Sequence, residues 1–173
     1  YRLLAESTGL AHSAIYNYFG SKAELYAAVH DEVKFETYAE WIIPAVDNTD
    51  TLASRIDALL HVFIGMNAAA PHVSRFLAAA RIDTARHEEL ASIRGALAAE
   101  RRLLFADMVD LGVATGELDP TCSRDLLAML ETMAVGLIEM AAEPERHSAA
   151  VSGFGLAIHA LLDTRKRCQD PSA

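Results

Sequence analysis

Cysteine is almost absent from this chain. The two that occur, Cys122 and Cys168, have no metal-site, redox-pair or disulfide-framework spacing. The expectation is reduced thiols in a cytoplasmic protein. Long apolar runs are missing too. No stretch of about eighteen uncharged apolar residues occurs, which excludes a transmembrane helix, and no signal peptide is visible. Alternating runs rich in Val, Ile and Thr are lacking, so there is almost no strand signal. There are no internal repeats and no low-complexity tract.

The usual catalytic and metal motifs are also missing. A helical di-metal site needs Glu-x-x-His on two helices, and no Glu-x-x-His is present. The histidines at 12, 30, 61, 72, 87, 147 and 159 form no His-x-x-x-His pair. Neither phosphate-binding glycine motif occurs, and no Ser-His-Asp or Cys-His set follows from helical spacing. The expectation is therefore a protein with no enzymatic activity, no cofactor and no metal.

Basic residues are the last scarcity. Lys and Arg number 15 against 24 Asp and Glu, a net charge of −9. That sum argues against an extended nucleic-acid surface. Residues 1–34 are closer to neutral: Arg2, Lys22 and Lys34 oppose Glu6, Glu24, Asp31 and Glu32.

What is present is helix. At 52% hydrophobic and 23% charged, the 173 residues describe a globular chain with one generous core, or a small domain beside a larger one. The spacing predicts a helix from Ser21 to about Ile43, ending before Pro44, and a loop over Val46 to Asp50. A second runs from Thr51 to Ala69, with Leu52, Ile56, Leu59, Leu60, Phe63 and Ile64 as its stripe. Pro71 opens the next, with Val73, Phe76, Leu77 and Ala80 facing inward. A long helix spans about Glu88 to Thr115 and stops at Gly112-Val-Ala-Thr-Gly116-Glu-Leu-Asp-Pro120. Two more cover about Thr121 to Ala142 and Arg146 to Lys166. The fold class expected is all-α.

The first 25 residues hold the densest signal. Leu3, Leu4 and Ala5 form an apolar patch on a short first helix. Gly9 stands where a helix-turn-helix corner needs positive φ or close approach, and Leu10 can plug the corner. His12 to Phe19 forms the second helix, with Ile15 and Phe19 on its buried face. Its other face offers His12, Ser13, Tyr16 and Asn17, a surface suited to base edges in a major groove. Gly20 stops it. Ser21-Lys-Ala-Glu24 has capping-box spacing and starts a third helix. Any αα-corner could imitate this pattern.

These residues also carry a resemblance. Ala5-x-x-x-Gly9-Leu10, then Ile15-Tyr16-x-Tyr18-Phe19-x-Ser21-Lys22-x-x-Leu25, resembles the DNA-binding signature of the tetracycline-repressor (TetR) family of bacterial regulators. The resemblance spans about 25 residues; beyond it, helix order, length and the Gly-x-x-x-Gly-Glu-Leu turn agree with the family. One departure stands at Ala11, where the family commonly has a Ser or Thr that caps the recognition helix. The cap here should be weak. The resemblance also implies a helix, with a basic arm, preceding Tyr1. The expectation is that the sequence lacks that first helix, which would pack on Leu4 and Phe19.

The last two helices are apolar on more than one face, with Leu130 and Leu137 on one and Phe154 and Leu161 on the other. A helix apolar on two sides needs two partners. The pair reads as half of an intermolecular four-helix bundle, with those four leucine and phenylalanine side chains at a homodimer interface. Aromatic and Met residues gather on the middle helices: Phe35, Tyr38, Trp41, Phe63, Met66, Phe76, Phe105, Met108 and Met133. With His61 and Asn67 as polar handles they suit an apolar ligand cavity, and the family resemblance implies an inducer there.

The combined expectation is an N-terminal helix-turn-helix domain over residues 1–33 and a helical ligand-binding and dimerisation domain over 34–173. As a homodimer it would bind palindromic operator DNA through His12, Ser13, Tyr16, Asn17, Tyr18 and Lys22. A small-molecule effector, of identity not encoded in any motif, would release it. No membrane contact is expected. Two alternatives compete: an α-helical small-molecule-binding or catalytic bundle whose corner only mimics a DNA head, and an adaptor module without ligand.

Overall fold

The structure, a computed structural model, describes residues 6–9 and 11–169, with the side chains of His12, Leu97 and residues 164–169 outside that description. Leu3, Leu4, Ala5, Leu10, Arg2 and the Cys168 thiol, singled out above, therefore lie outside the described residues. Residues 6–8 are helical and end at Gly9. The helices that follow are α1 (His12–Phe19), α2 (Lys22–Phe35), α3 (Ile43–Val46), α4 (Leu52–Ala69), α5 (Pro71–Arg86), α6 (Ala91–Ala114), α7 (Ser123–Met140) and α8 (Pro144–Gln169). Short 3₁₀ turns, Glu88–Leu90 and Pro120–Cys122, lead into α6 and α7. Among the described residues no strand occurs and no helix is long and apolar enough to cross a membrane.

One boundary differs from the sequence reading. The third helix of the chain does not stop before Pro44. Between α2 and α3 the backbone widens into a π-helix, Glu36–Ile42, and the helix runs on to Val46. A proline inside an α-helix loses one hydrogen bond and clashes with the carbonyl four residues back. The wider turn relieves this: the Ile43 N–H bonds Tyr38 O, five residues back, before Pro44 enters.

The core lies between α4, α6, α7 and α8. Leu52, Ile56 and Leu59 of α4 meet Phe105 and Met108 of α6, Leu130, Met133 and Leu137 of α7, and Ile158 of α8, all essentially without solvent exposure. Gly155 lets α8 approach α4, since a Cβ there would stand 3.3 Å from Leu60 Cδ1. His159 Nε2 and Asp57 Oδ1, 2.7 Å apart, tie the same pair of helices.

The Gly112-to-Leu118 turn joins two helices at once. Gly116 takes φ 75°, and the Leu118 N–H returns to Gly112 O at 2.9 Å, closing the end of α6. The turn then presents Glu117 to the free end of α4: its carboxylate accepts from Leu52 N–H at 2.6 Å and Ala53 N–H at 3.3 Å. Thr51 and Ser54 complete that end with a reciprocal capping box. Gly112 is required for contact, because a Cβ there would lie 2.5 Å from Leu52 Cδ2.

Candidate functional site

The N-terminal end is built around α1. Gly9 has φ 70°, the left-handed turn expected of the corner. Ala11 is the N-cap of α1 and makes no side-chain cap bond, so the weak cap expected from the sequence is found. Ile15 is buried and anchors the helix, while Phe19 is half-buried against Tyr18, ring centroids 4.8 Å apart. Ser13, Tyr16, Asn17 and Tyr18 are all exposed, Tyr18 at 84%. The His12 side chain lies outside the described residues. Gly20 ends α1 with φ 62°, and Ser21 Oγ accepts from Glu24 N–H at 3.1 Å to start α2. Lys22, exposed in the first turn of α2, follows α1 directly after the Gly20–Ser21 corner and lines a shallow surface pocket with Asp83, His87 and Glu89.

From there α2 runs along α5 toward the core. Tyr26 donates to Asp83 Oδ2 at 3.3 Å and stacks near Phe76, centroids 5.6 Å apart. Burial first, then Asp83, pushes the Tyr26 phenol up to about 12. His30 is buried beside Phe76 with Nε2 unpartnered, and burial pushes its pKa below the ordinary value despite Asp31 nearby. The next turn reaches a cavity. Lys34, Thr37 and Tyr38 line a mainly apolar space of about 70 Å³, closed by Phe63 and Met66 of α4 and by Arg101 and Phe105 of α6. Lys34, Tyr38 and Leu104 also line an open groove of about 490 Å³, whose floor holds the exposed Phe35, Ile43 and Leu103. Lys34 Nζ bridges the rim to Glu100 Oε1 at 3.1 Å. Burial, then Glu100, raises Tyr38 to about 12, with Arg101 acting in the opposite sense.

Against known proteins, residues 1–29 match the model of the bacterial regulatory proteins of the tetR family. The head is that of a TetR-family regulator. No curated protein and no solved structure matches the chain. The match covers the helix-turn-helix head, 29 of the 173 residues, and the long helical body behind it is described by its own geometry alone.

In this helical body the sequence-derived candidates separate. Tyr38, Phe63, Met66 and Phe105 do meet at the inner cavity. Phe35 is 61% exposed and lines the outer groove instead. Met108 and Met133 are corrected to plain core, fully buried among α4, α6 and α7 and away from the cavity wall. Phe76 packs on Tyr26 and His30, between head and body. His61 is exposed, its Nδ1 2.7 Å from Asp57 O one turn back. Asn67 does not line the cavity, although its Oδ1 is buried without a partner. Trp41 does not share a wall with Phe35; it packs with Met66, Ala70 and Val73, and its ring edge lies 3.5 Å from where a Gly65 Cβ would be. Six residues of helix place the two side chains on different faces whether the turn is α or π, so they face different neighbours.

Two of the four interface candidates are also corrected. Leu130 and Leu137 have 0% exposure within their own chain, so they offer no area to a second one. Phe154 is partly buried against the same core, and Leu161 is exposed. The larger free surface is Leu156, 74% exposed, which the sequence reading passed over. Lys34 and Arg101 were missed as cavity residues. Their signal was a charge standing in phase with an apolar stripe: Lys34 four before Tyr38, and Arg101 three and four before Leu104 and Phe105.

Proposed function

We propose that this TetR-type regulator is a ligand-released repressor that binds palindromic operator DNA as a homodimer, with residues 1–33 as its DNA-reading unit and 34–173 as its ligand-binding and dimerisation unit. The observation that carries the reading is the path of one helix. α2 starts at Lys22, directly after the corner that ends α1, and continues without a break into the π-helix that lines the cavity with Thr37 and Tyr38. Ser13, Asn17 and His12 are the base-edge candidates, with Tyr16 at the border of base and backbone. Tyr18 and Lys22 hold phosphate. In a dimer the two heads would reach successive major grooves, about 34–36 Å apart or a multiple of that.

The closed cavity of about 70 Å³ is far below the roughly 300–1,000 Å³ of drug-sized sites. A ligand must therefore widen it, and the shared wall of Lys34, Tyr38 and Leu104 is where cavity and groove can merge. Moving Tyr38 moves the end of α2, and with it Lys22. A coupling of about 1–3 kcal/mol would change operator affinity roughly 5–150-fold. The dimer surface proposed is the outer face of α7 and α8, where Leu156 and Leu161 are exposed beside Gly153 and Ala157.

The test is selection of genomic fragments by the protein, followed by footprinting. A symmetric protected site supports the reading. Retention without sequence preference, or a half-site alone, would overturn the dimeric repressor. A mimic head on a binding or catalytic bundle would give no footprint at all.

A further inference from the structure

Behind the inner cavity lies a second pocket, of about 110 Å³, walled by α5, α6 and α7. Its lining includes Arg81, Arg94 and Arg101 and no carboxylate. In a chain where acids outnumber bases 24 to 15, such a grouping runs against composition. Arg81 pairs with Glu139 at the outer edge, both about half exposed. Among the described residues, Arg94 and Arg101 have no carboxylate within ion-pair distance, and Arg101 Nε is buried with no hydrogen-bond partner there. A buried, unpartnered guanidinium nitrogen is costly unless something occupies its donors. Thr84 adds no donor, because its hydroxyl already donates to Ala80 O at 2.7 Å.

The two chambers are one space chemically. Leu77, Arg101 and Ile138 line both. The inner cavity is mainly apolar, with Phe63, Met66 and Phe105 around it, and Lys34, Thr37, Tyr38 and Arg101 are its polar members. At about 70 Å³ it admits the start of a short apolar chain, and the rest of that chain widens it toward the groove. We propose that the effector is an amphipathic organic anion: a carboxylate or phosphate head held by Arg94 and Arg101, joined to an apolar body of about six carbons in the inner cavity. This rests on the ligand-responsive reading above and gives its effector a chemical class. The head pocket also has a mechanical neighbour. Arg81 and Thr84 flank Asp83 on α5, and Asp83 holds the Tyr26 hydroxyl of α2 at 3.3 Å. An anion drawing α5 and α6 together would act on the same turn that holds α2, the helix that follows the DNA-reading α1.

The experiment compares four probes on the intact protein by calorimetry or ligand-observed NMR: hexanoate, hexyl phosphate, hexan-1-ol and hexylamine. At least one anion should bind about tenfold or more tightly than the alcohol, and Arg101→Gln and Arg94→Gln should each lose that margin while leaving hexanol unchanged. Unchanged far-UV circular dichroism and melting temperature show that the variants are folded. Preference for the carboxylate or the phosphate identifies the head. Equal binding of alcohol and anions, anion binding that survives both substitutions, or no anion binding to the wild type would overturn the proposal. A separate screen of uncharged and cationic compounds for operator release distinguishes the readings. If such a compound releases DNA, the anion class fails and ligand response stands. If nothing releases DNA, ligand response itself fails.

Discussion

Asn17 and Lys22 lie five residues apart and are expected to make different kinds of contact. Asn17→Ala should relax sequence preference at one base pair by about 1–3 kcal/mol, measured by titrating a set of single-site operator variants. Lys22→Ala should weaken every sequence alike and lower the salt slope by about one. If Asn17→Ala leaves the ranking of variants intact, that side chain is not a reader. Two buried histidines give a second expectation. Burial keeps His30 and His147 neutral and lowers both from 6.5. The unfolded chain takes up protons first as pH falls through 6.5, so stability is full above that value and declines below it. Urea unfolding at pH 7.5 and at about 5.5 should show the decline, and His147→Leu, which removes one of the groups, should make it smaller. An unaltered slope in the variant would assign the acid sensitivity elsewhere.

Among the elements, the turn after α6 carries the most consequences for its length. Gly112→Ala would drive a methyl group into Leu52, a side chain with no exposure, at a cost of about 1–3 kcal/mol by overpacking. Glu117→Ala removes the acceptor from two α4 N–H groups and should cost about 1 kcal/mol. Thermal melts of both variants check this; a Glu117→Ala variant as stable as the wild type would mean that water replaces the cap. The π-helix is the other consequential element. It lets Pro44 continue the helix, and its first turn carries Thr37 and Tyr38, which line the cavity.

For the whole molecule, two measurements bear on assembly and coupling. Leu156→Lys should convert the proposed dimer to monomer in light scattering without altering helicity, since the residue is exposed. A wild type that is already monomeric at micromolar concentration would remove the expected interface of roughly 2,000 Å² or more. Trp41 packs on Met66, which lines the cavity, so an effector that displaces Met66 should change the fluorescence of the single tryptophan. Operator DNA should then weaken effector binding by the factor with which effector weakens operator binding. Equal effector affinity with and without operator would separate the cavity from the head.

The helices, their order and most of their ends were legible in the residues alone. Apolar stripes of helical period, Pro71, the Gly112–Pro120 turn and the Gly9 and Gly20 corners are local signals, and local backbone preference decides them. The head was legible for the same reason, because its spacing is short and contiguous. The cavity was legible only in part. Tyr38, Phe63, Met66 and Phe105 share it, yet Met108, Met133, Leu130 and Leu137, equally apolar and equally in phase, became closed core. A stripe tells which side of a helix turns inward; it does not tell which of the inward side chains meets a gap. That choice came from tertiary packing, with Gly155 admitting α8 close to α4 and with α5, α6 and α7 converging on one pocket. The three arginines are 13 and 7 residues apart along the chain, and only tertiary packing brings their charges to one pocket.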